Sequence, residues 1–439
     1  MSQPCVAFWF RRDLRLHDNH GLHAALQSGL PVLPVFIFDT DILDQLTDKR
    51  DRRVEFIHRS LFEIQQQLRQ HSGSLVVRRG RPKEVWRRLL REFDIRGVFT
   101  NNDYEPYAVQ RDLTVRSILS ETGVSFHTFC DQVIFEKSDV VKADGSPYTV
   151  FTPFKNAWLK KLTERYPVIP HYRVEALLDR MIKLPPQPLP TLEELGFQTT
   201  GAVFPSKQVR QEIVARYHLE RDLPGIEGTT RLGVHLRFGT VSVRELVSLA
   251  REINQTWLSE LIWREFFMMI LHHFPHVEHH AFRSAYDRIP WRNAPEDFER
   301  WCTGQTGYPL VDAGMRELNE TGFMHNRVRM VTASFLTKHL LIDWRLGERY
   351  FAAKLLDYDL SANNGNWQWA AGTGCDAAPY FRVFNPSAQM AKFDSDLTYV
   401  RQWVPEYGTP SYPQPMIDHD FARRRAVDVY ARALRSSTR

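Results

Sequence analysis

Asp357-Tyr-Asp-Leu-Ser-Ala-Asn-Asn-Gly-Asn-Trp-Gln-Trp369 is the stretch on which the reading of this chain turns. It holds two aspartates, three asparagines and two tryptophans, and Ala-Ala-Gly-Thr-Gly follows at once. No packing rule asks for this mixture, because buried polar groups are costly unless something bonds to them.

At 439 residues the chain is too long for one ordinary core, so two or three domains are expected. With 43% hydrophobic and 25% charged residues it belongs to the soluble globular class. No apolar run approaches the length of a membrane span. Met1-Ser-Gln-Pro-Cys5 lacks the basic and apolar regions of a signal peptide. Cys5, Cys130, Cys302 and Cys375 form no C-x-x-C pair, which argues against a zinc site. A reduced, cytoplasmic protein without a metal is the expectation, and a monomer. The net charge of +5 permits nucleic-acid binding without requiring it.

Residues 1–130 alternate short apolar runs with helical periodicity. Strands are predicted at Cys5–Phe10, Val32–Phe38, Ser74–Val77, Gly97–Thr100 and Val124–Phe129. One helix carries Val54, Ile57, Leu61, Ile64 and Leu68 on a face; a second carries Val85, Trp86, Leu89, Leu90 and Phe93. This alternation predicts an α/β domain with a parallel, doubly wound sheet. No G-x-G-x-x-G is present. Residues 131–204 read as a connector, with Pro185-Pro-Gln-Pro-Leu-Pro190 extended over the surface. From 205 to 439 strand signals nearly vanish. Thr240–Ile253, Trp257–His272 and Asn326–Leu341 read as helices of a mostly α-helical domain, with a short polar tail after Ala433.

Three further segments carry chemistry. Gly228-Thr-Thr-Arg-Leu-Gly-Val-His-Leu-Arg-Phe-Gly239 precedes a helix opened near Ser242, an arrangement able to hold a pyrophosphate and equally able to be an ordinary capped loop. Trp257-Leu-Ser-Glu-Leu-Ile-Trp-Arg-Glu265 sets Glu260 among Leu258, Leu261 and Ile262, where a charge needs a partner. Met324-His-Asn-Arg-Val-Arg-Met330 puts Asn326 and Met330 on one helix face. Taken alone, Trp291, Trp344 and Trp367 read as core filler, and each arginine as a solvated surface charge.

Together these motifs resemble the photolyase/cryptochrome family, and above all its class I cyclobutane pyrimidine dimer (CPD) photolyases. The opening stretch resembles Asp-Gly-Asp-Leu-Ala-Ala-Asn-Asn-Gly-Gly-Trp-Gln-Trp, the flavin-contacting segment of that family. The resemblance runs from Phe8 to about Pro405 and implies a C-terminal FAD-binding domain. It places Thr229, Thr230, Arg231 and Leu232 on the FAD diphosphate, with Gly233 where a serine is usual. Tyr217, Trp257, Arg329, Asp357 and Asp359 become flavin contacts, and Asn363 faces flavin N5, where an amide oxygen can accept N5–H. Glu260 would bond the pyrimidine pair and Trp263 would stack on it. Asn326, Met330 and Trp369 would line the lesion pocket; photolyases for the (6-4) lesion carry histidine in place of this Asn. Trp367, Trp344 and Trp291 would relay electrons to the flavin. Arg221, Arg264, Arg327 and Arg382 would meet the DNA backbone.

The resemblance implies light-driven repair of pyrimidine dimers in DNA by electron transfer from reduced FAD, with a cryptochrome-type photoreceptor as the alternative. It also allows a second, light-harvesting chromophore in the α/β domain. The loop Asn102-Asp-Tyr-Glu-Pro-Tyr-Ala108 lacks the Asn-Glu pair of folate-binding members, so 8-hydroxy-deazaflavin is expected ahead of methenyltetrahydrofolate.

Overall fold

The structure, a computed structural model, describes residues 3–292 and 294–435; the chain's first two residues and the last four of its polar tail lie outside that range. The chain forms two compact units that exchange segments. The first comprises Met1–Val140, Leu159–Gln208 and Arg231–Glu252; the second comprises Val141–Trp158, Val209–Thr230 and Ile253–Arg439. The expected connector is thus divided between both units, and the helix expected over Thr240–Ile253 belongs almost entirely to the first.

In the first unit β1 (Cys5–Phe10), β2 (Val32–Asp39), β3 (Val76–Gly80), β4 (Ile95–Asn101) and β5 (Ser125–Phe129) form one parallel sheet in the order β3-β2-β1-β4-β5. Every residue of β1 and β2 is buried. That is the signature of inner strands covered on both faces, and it explains why they read as unbroken apolar runs. β3 begins two residues later than the sequence suggests. The Gln65 side chain accepts from the Leu75 backbone N–H (2.6 Å) and donates to the Ser74 hydroxyl (3.0 Å), so these residues are bonded elsewhere. The helix Arg52–Arg69 buries Val54, Phe56, Leu61, Ile64 and Leu68; Phe56 takes the inward place expected of Ile57. The extended 185–190 segment is held at Gln187, whose carbonyl accepts from Gln65 (2.8 Å).

The Arg231–Glu252 segment joins this unit through charge. Arg244 and Arg15 both bond Asp131 (2.9 and 2.8 Å), and Arg244 also bonds Asp18 (3.0 Å); all four groups are buried. Gly239 sits here at φ +64, with the Arg12 carbonyl 2.1 Å from where a Cβ would stand, so only glycine fits.

The second unit is helical. Asn254 accepts from the Thr256 and Trp257 N–H groups and so starts the helix Gln255–His273. Asp359 accepts from Ala362 and starts Leu360–Ala371. Asp343 accepts from Arg345 and starts Trp344–Lys354. The helix expected over Asn326–Leu341 runs only Asn326–Ser334 and then widens into a single π-type turn, Phe335–His339. Thr337 donates back to the Ala333 carbonyl (2.9 Å), one of the groups an α-turn would have used. Trp344, Trp367, Trp301, Phe335 and Phe351 share one buried apolar cluster. Gly347 lets two helices meet there: a Cβ at 347 would lie 2.2 Å from the Trp367 ring. No described helix is long and apolar enough to cross a membrane.

Candidate functional site

The helices Asn326–Ser334, Trp344–Lys354 and Leu360–Ala371 line a cavity in the second unit. Eight of the residues singled out in the sequence line it: Asn326, Arg329, Met330, Asp357, Asp359, Asn363, Trp367 and Trp369. Their spacing explains the convergence. Asn326, Arg329 and Met330 fall at helical intervals of three and four, so they share a face; Asn363, Trp367 and Ala370 do the same from the other side.

Polar groups in the cavity wall are held in place. Arg329 donates to both oxygens of Asp357 (2.9 and 3.1 Å) and to the Met324 carbonyl (2.7 Å). Asp359 doubles as a helix cap and accepts from the Ser361 hydroxyl. The buried Asn363 donates from Nδ2 to Oε1 of Glu348 (2.8 Å) and to the Glu348 main-chain oxygen (3.2 Å). Burial raises the pKa of Glu348, with the Asn363 bond pulling the other way. Nothing in the sequence marked Glu348 beyond its place one turn after Trp344.

Glu260 and Trp263 are not among the residues lining this cavity. Glu260 forms an ion pair with Arg221, beside Tyr217. Burial raises the pKa of Glu260, and Arg221 only partly opposes this. Burial and the Glu260 charge push the Tyr217 phenol up. Trp263 lies flat against Phe151, with ring centres 3.5 Å apart, so one stacking face is covered by a residue the sequence reading overlooked. Trp257 is buried at the start of the same helix.

Among the arginines expected on DNA, Arg221 is paired with Glu260, and Arg327 with Asp222 (2.8 Å). Arg382 is exposed, its guanidinium over the Phe384 ring. Arg264 is half-buried. In the expected phosphate loop, Thr229 and Thr230 are half-buried and end a segment of the second unit. Arg231, exposed at φ +51, and the buried Leu232 begin a segment of the first.

Trp367 and Trp344 are buried in the apolar cluster, and Trp291 packs against it. The ring neighbours of Trp367 are Phe351 (4.9 Å) and Trp301 (6.1 Å); Trp291 stands edge-on to Tyr430 (5.8 Å). Trp301 was invisible as a candidate because Glu299-Arg-Trp-Cys302 carries no motif. In the first unit, Glu105 of the Asn102–Ala108 loop bonds Arg12 (3.0 Å) and Arg237.

The family model for the FAD binding domain of DNA photolyase matches residues 257–410, and the DNA photolyase model matches residues 6–171. The deoxyribodipyrimidine photo-lyase of Synechococcus sp. is 35% identical, over 98% of this chain and 97% of its own. A bacterial class III photolyase from Agrobacterium tumefaciens has a similar crystal structure, with a TM-score of 0.86 at 32% identity, covering 99% of this chain and 98% of that one. An archaeal photolyase from Sulfolobus tokodaii, crystallised with two FAD molecules, has a TM-score of 0.80 at 34% identity, covering 98% of this chain and 100% of that one.

Proposed function

Because the chain belongs to the DNA photolyase family, we propose that it is a deoxyribodipyrimidine photo-lyase that uses FAD to repair cyclobutane pyrimidine dimers in DNA under blue light. The observation that carries this reading is the cavity wall. Asn326, Met330 and Trp369, the residues expected to meet the lesion, share one space with Arg329, Asp357 and Asn363, those expected to meet the flavin. Polar groups fixed at its rim suit the flavin ring's donors and acceptors.

FAD, when bound and reduced, supplies the electron that splits the dimer. The chain's own residues do the rest. Arg329 and Asp357 would orient the ring edge, and Asn363 would offer its amide to the ring. Thr229, Thr230, Arg231 and Leu232 would hold the diphosphate, with Tyr217 and Trp257 as further contacts. Asn326, Met330 and Trp369 receive the flipped-out pyrimidines, whose extrusion costs a few kcal/mol and least at a damaged step. For Glu260 to join them and free Arg221, their pair must open on DNA binding, while Trp263 can take part from the ring face opposite Phe151. Arg221, Arg264, Arg327 and Arg382 then contact phosphates. For a second chromophore we favour 8-hydroxy-deazaflavin over methenyltetrahydrofolate, since the folate-type Asn-Glu pair is missing.

The deciding experiment illuminates purified, reduced protein with duplex DNA carrying either CPD or (6-4) lesions and assays restored thymines. Dimer repair with (6-4) lesions left intact is expected; no dimer repair by fully reduced protein refutes the reading. Trp367→Phe should block light-driven reduction of oxidised FAD yet leave repair by chemically reduced protein nearly intact. The ring contact at Trp301 makes Trp301→Phe a necessary companion, since it separates a branch through Trp301 from the route through Trp344 and Trp291.

A further inference from the structure

Outside the cavity, four side chains able to ligate a metal converge in the first unit. His171 Nδ1 lies 3.6 Å from Oδ1 of Asp18 and 3.8 Å from Oε1 of Glu245, and the three groups offer ligand atoms that all lie within 4.8 Å of one another. His17 Nε2 stands 3.4 Å from the other Glu245 oxygen. These residues come from stretches far apart in the chain: the loop after β1, the segment just before Tyr172, and the first turn of the helix Val243–Ile253. At 3.6 and 3.8 Å His171 hydrogen-bonds neither carboxylate. Ligands held about 2.1 Å from one tetrahedral cation stand about 3.4 Å from each other, so this spacing suits a shared ion better than direct bonds. Asp18 is prepared as ligating carboxylates are, by outer hydrogen bonds that fix its direction. It accepts from the Tyr172 N–H (2.7 Å), from Arg244 Nε (3.0 Å) and from the Ser242 hydroxyl, and a carboxylate has room for about four partners. Arg244 also shares its charge with Asp131 (2.9 Å), so it does not neutralise Asp18 alone.

We propose that His17, Asp18, His171 and Glu245 bind a divalent transition-metal cation, zinc above all. Two imidazoles and two carboxylates supply four ligands, the number a structural zinc takes. Magnesium and calcium take oxygen ligands and fit a site with two histidines poorly. The ion ties the Leu159–Gln208 and Arg231–Glu252 segments to the loop after β1, all within the first unit. The side chains of His17, His171 and Glu245 are 43%, 44% and 46% exposed, so the ion enters from solvent, while Asp18 is fully buried. The cysteines carry no zinc motif in the sequence, and these histidines form none until folding brings them together.

The test is a metal titration and needs no repair assay. The stretch His272–His280 of the second unit, with five histidines, competes for zinc, so the parent for this test is the full-length protein carrying His279→Ala and His280→Ala. It is stripped of metal with a chelator and titrated by calorimetry with zinc chloride, and separately with magnesium chloride. One zinc per chain, no response to magnesium and a melting temperature raised by zinc are expected. In that background His171→Ala and Glu245→Ala should each weaken zinc binding at least about tenfold, since losing even a supporting partner of a ligand costs about ten- to a hundredfold. Neither side chain is buried, so both variants should fold, and the melting temperature without zinc checks this. Should either melt early, His17→Ala repeats the test from the far side of Glu245. Zinc that binds the folded ligand variants as tightly as their parent overturns the proposal. So does a parent that binds zinc no tighter than about 1 mM, or magnesium equally well.

Discussion

In the first unit, Asp131 is met by Arg15 and Arg244, and Asp18 by Arg244, Ser242 and the Tyr172 N–H. In the second, Asn363 spends both amide hydrogens on Glu348 and leaves its oxygen to a cavity. Both units bury polar groups; the first matches its buried carboxylates with guanidinium groups, with Arg15 Nε left over, and the second leaves an amide oxygen open to a cavity. Burying charge is tolerable when every partner is supplied. A closed network fixes a fold. An open one, backed by fixed partners on the far side, is prepared for something that is not protein. The contrast separates structural from functional polarity without counting charged residues.

Breaking the closed network gives the largest effect. Burial works to raise the pKa of Asp131, but Arg15 and Arg244 outweigh it and hold the carboxyl below its ordinary value. Asp131→Ala leaves the buried Arg15 without a carboxylate and Arg244 with Asp18 alone, and removing one partner of a buried pair costs about 3–5 kcal/mol. Urea denaturation should show that loss. Asn326→Ala, on the cavity wall, should stay within about 1 kcal/mol of the parent, since most substitutions away from packed or paired groups cost little. Equal losses in both variants would erase the distinction drawn here.

The second unit also buries polar groups away from the cavity, and they sharpen the comparison. His339 is buried, and its Nε2 lies 2.9 Å from Nδ1 of His419. Burial, helped by the neighbouring His419 and Arg425 charges, holds its pKa at about 3. The unfolded chain therefore binds a proton below its ordinary pKa near 6.5 that the folded one refuses until about pH 3. Stability should fall as pH drops through that window, by up to about 1.4 kcal/mol per pH unit. Urea midpoints at pH 7, 6 and 5 read the slope. His339→Phe should flatten it, and a variant with the parent's slope would assign the proton elsewhere.

Which parts of this were legible in the sequence follows from range. The strands of the sheet and the lining of the cavity come from patterns within a dozen residues, and the motifs 324–330 and 357–369 kept their members together. What escaped depends on partners far along the chain. Arg244 reaches Asp18, 226 positions away, and takes the Arg231–Glu252 segment into the first unit. Glu260 and Arg221 were assigned to different ligands, base and phosphate, yet are bonded to each other across 39 positions. Trp263 was given to the substrate, while Phe151 covers one of its faces. Periodicity reports which face of a helix is buried; it does not say by what.

The smallest expected effect tests whether open and closed arginines differ on DNA. Four arginines looked equivalent in sequence. In the structure Arg327 donates to Asp222 and sits 4.4 Å from the Phe393 ring, whereas Arg382 is exposed. A guanidinium already neutralised by a carboxylate releases little by way of counterions when it meets a phosphate. Arg382→Ala should therefore weaken binding to lesion-bearing and undamaged DNA alike and lower the slope of log affinity against log salt by about one unit. Arg327→Ala should lower it by less, unless binding first breaks the Asp222 pair. Asp222→Ala separates those cases. If the pair survives on DNA, this change frees a positive charge and steepens the salt slope; if the pair opens anyway, the slope stays as it was and binding tightens only by the cost of opening. Titrations of the three variants on both DNAs at several salt concentrations read all of this. Equal slopes for Arg327→Ala and Arg382→Ala, with Asp222→Ala unchanged, would mean that the pairing seen in the free protein says nothing about which arginines the DNA uses.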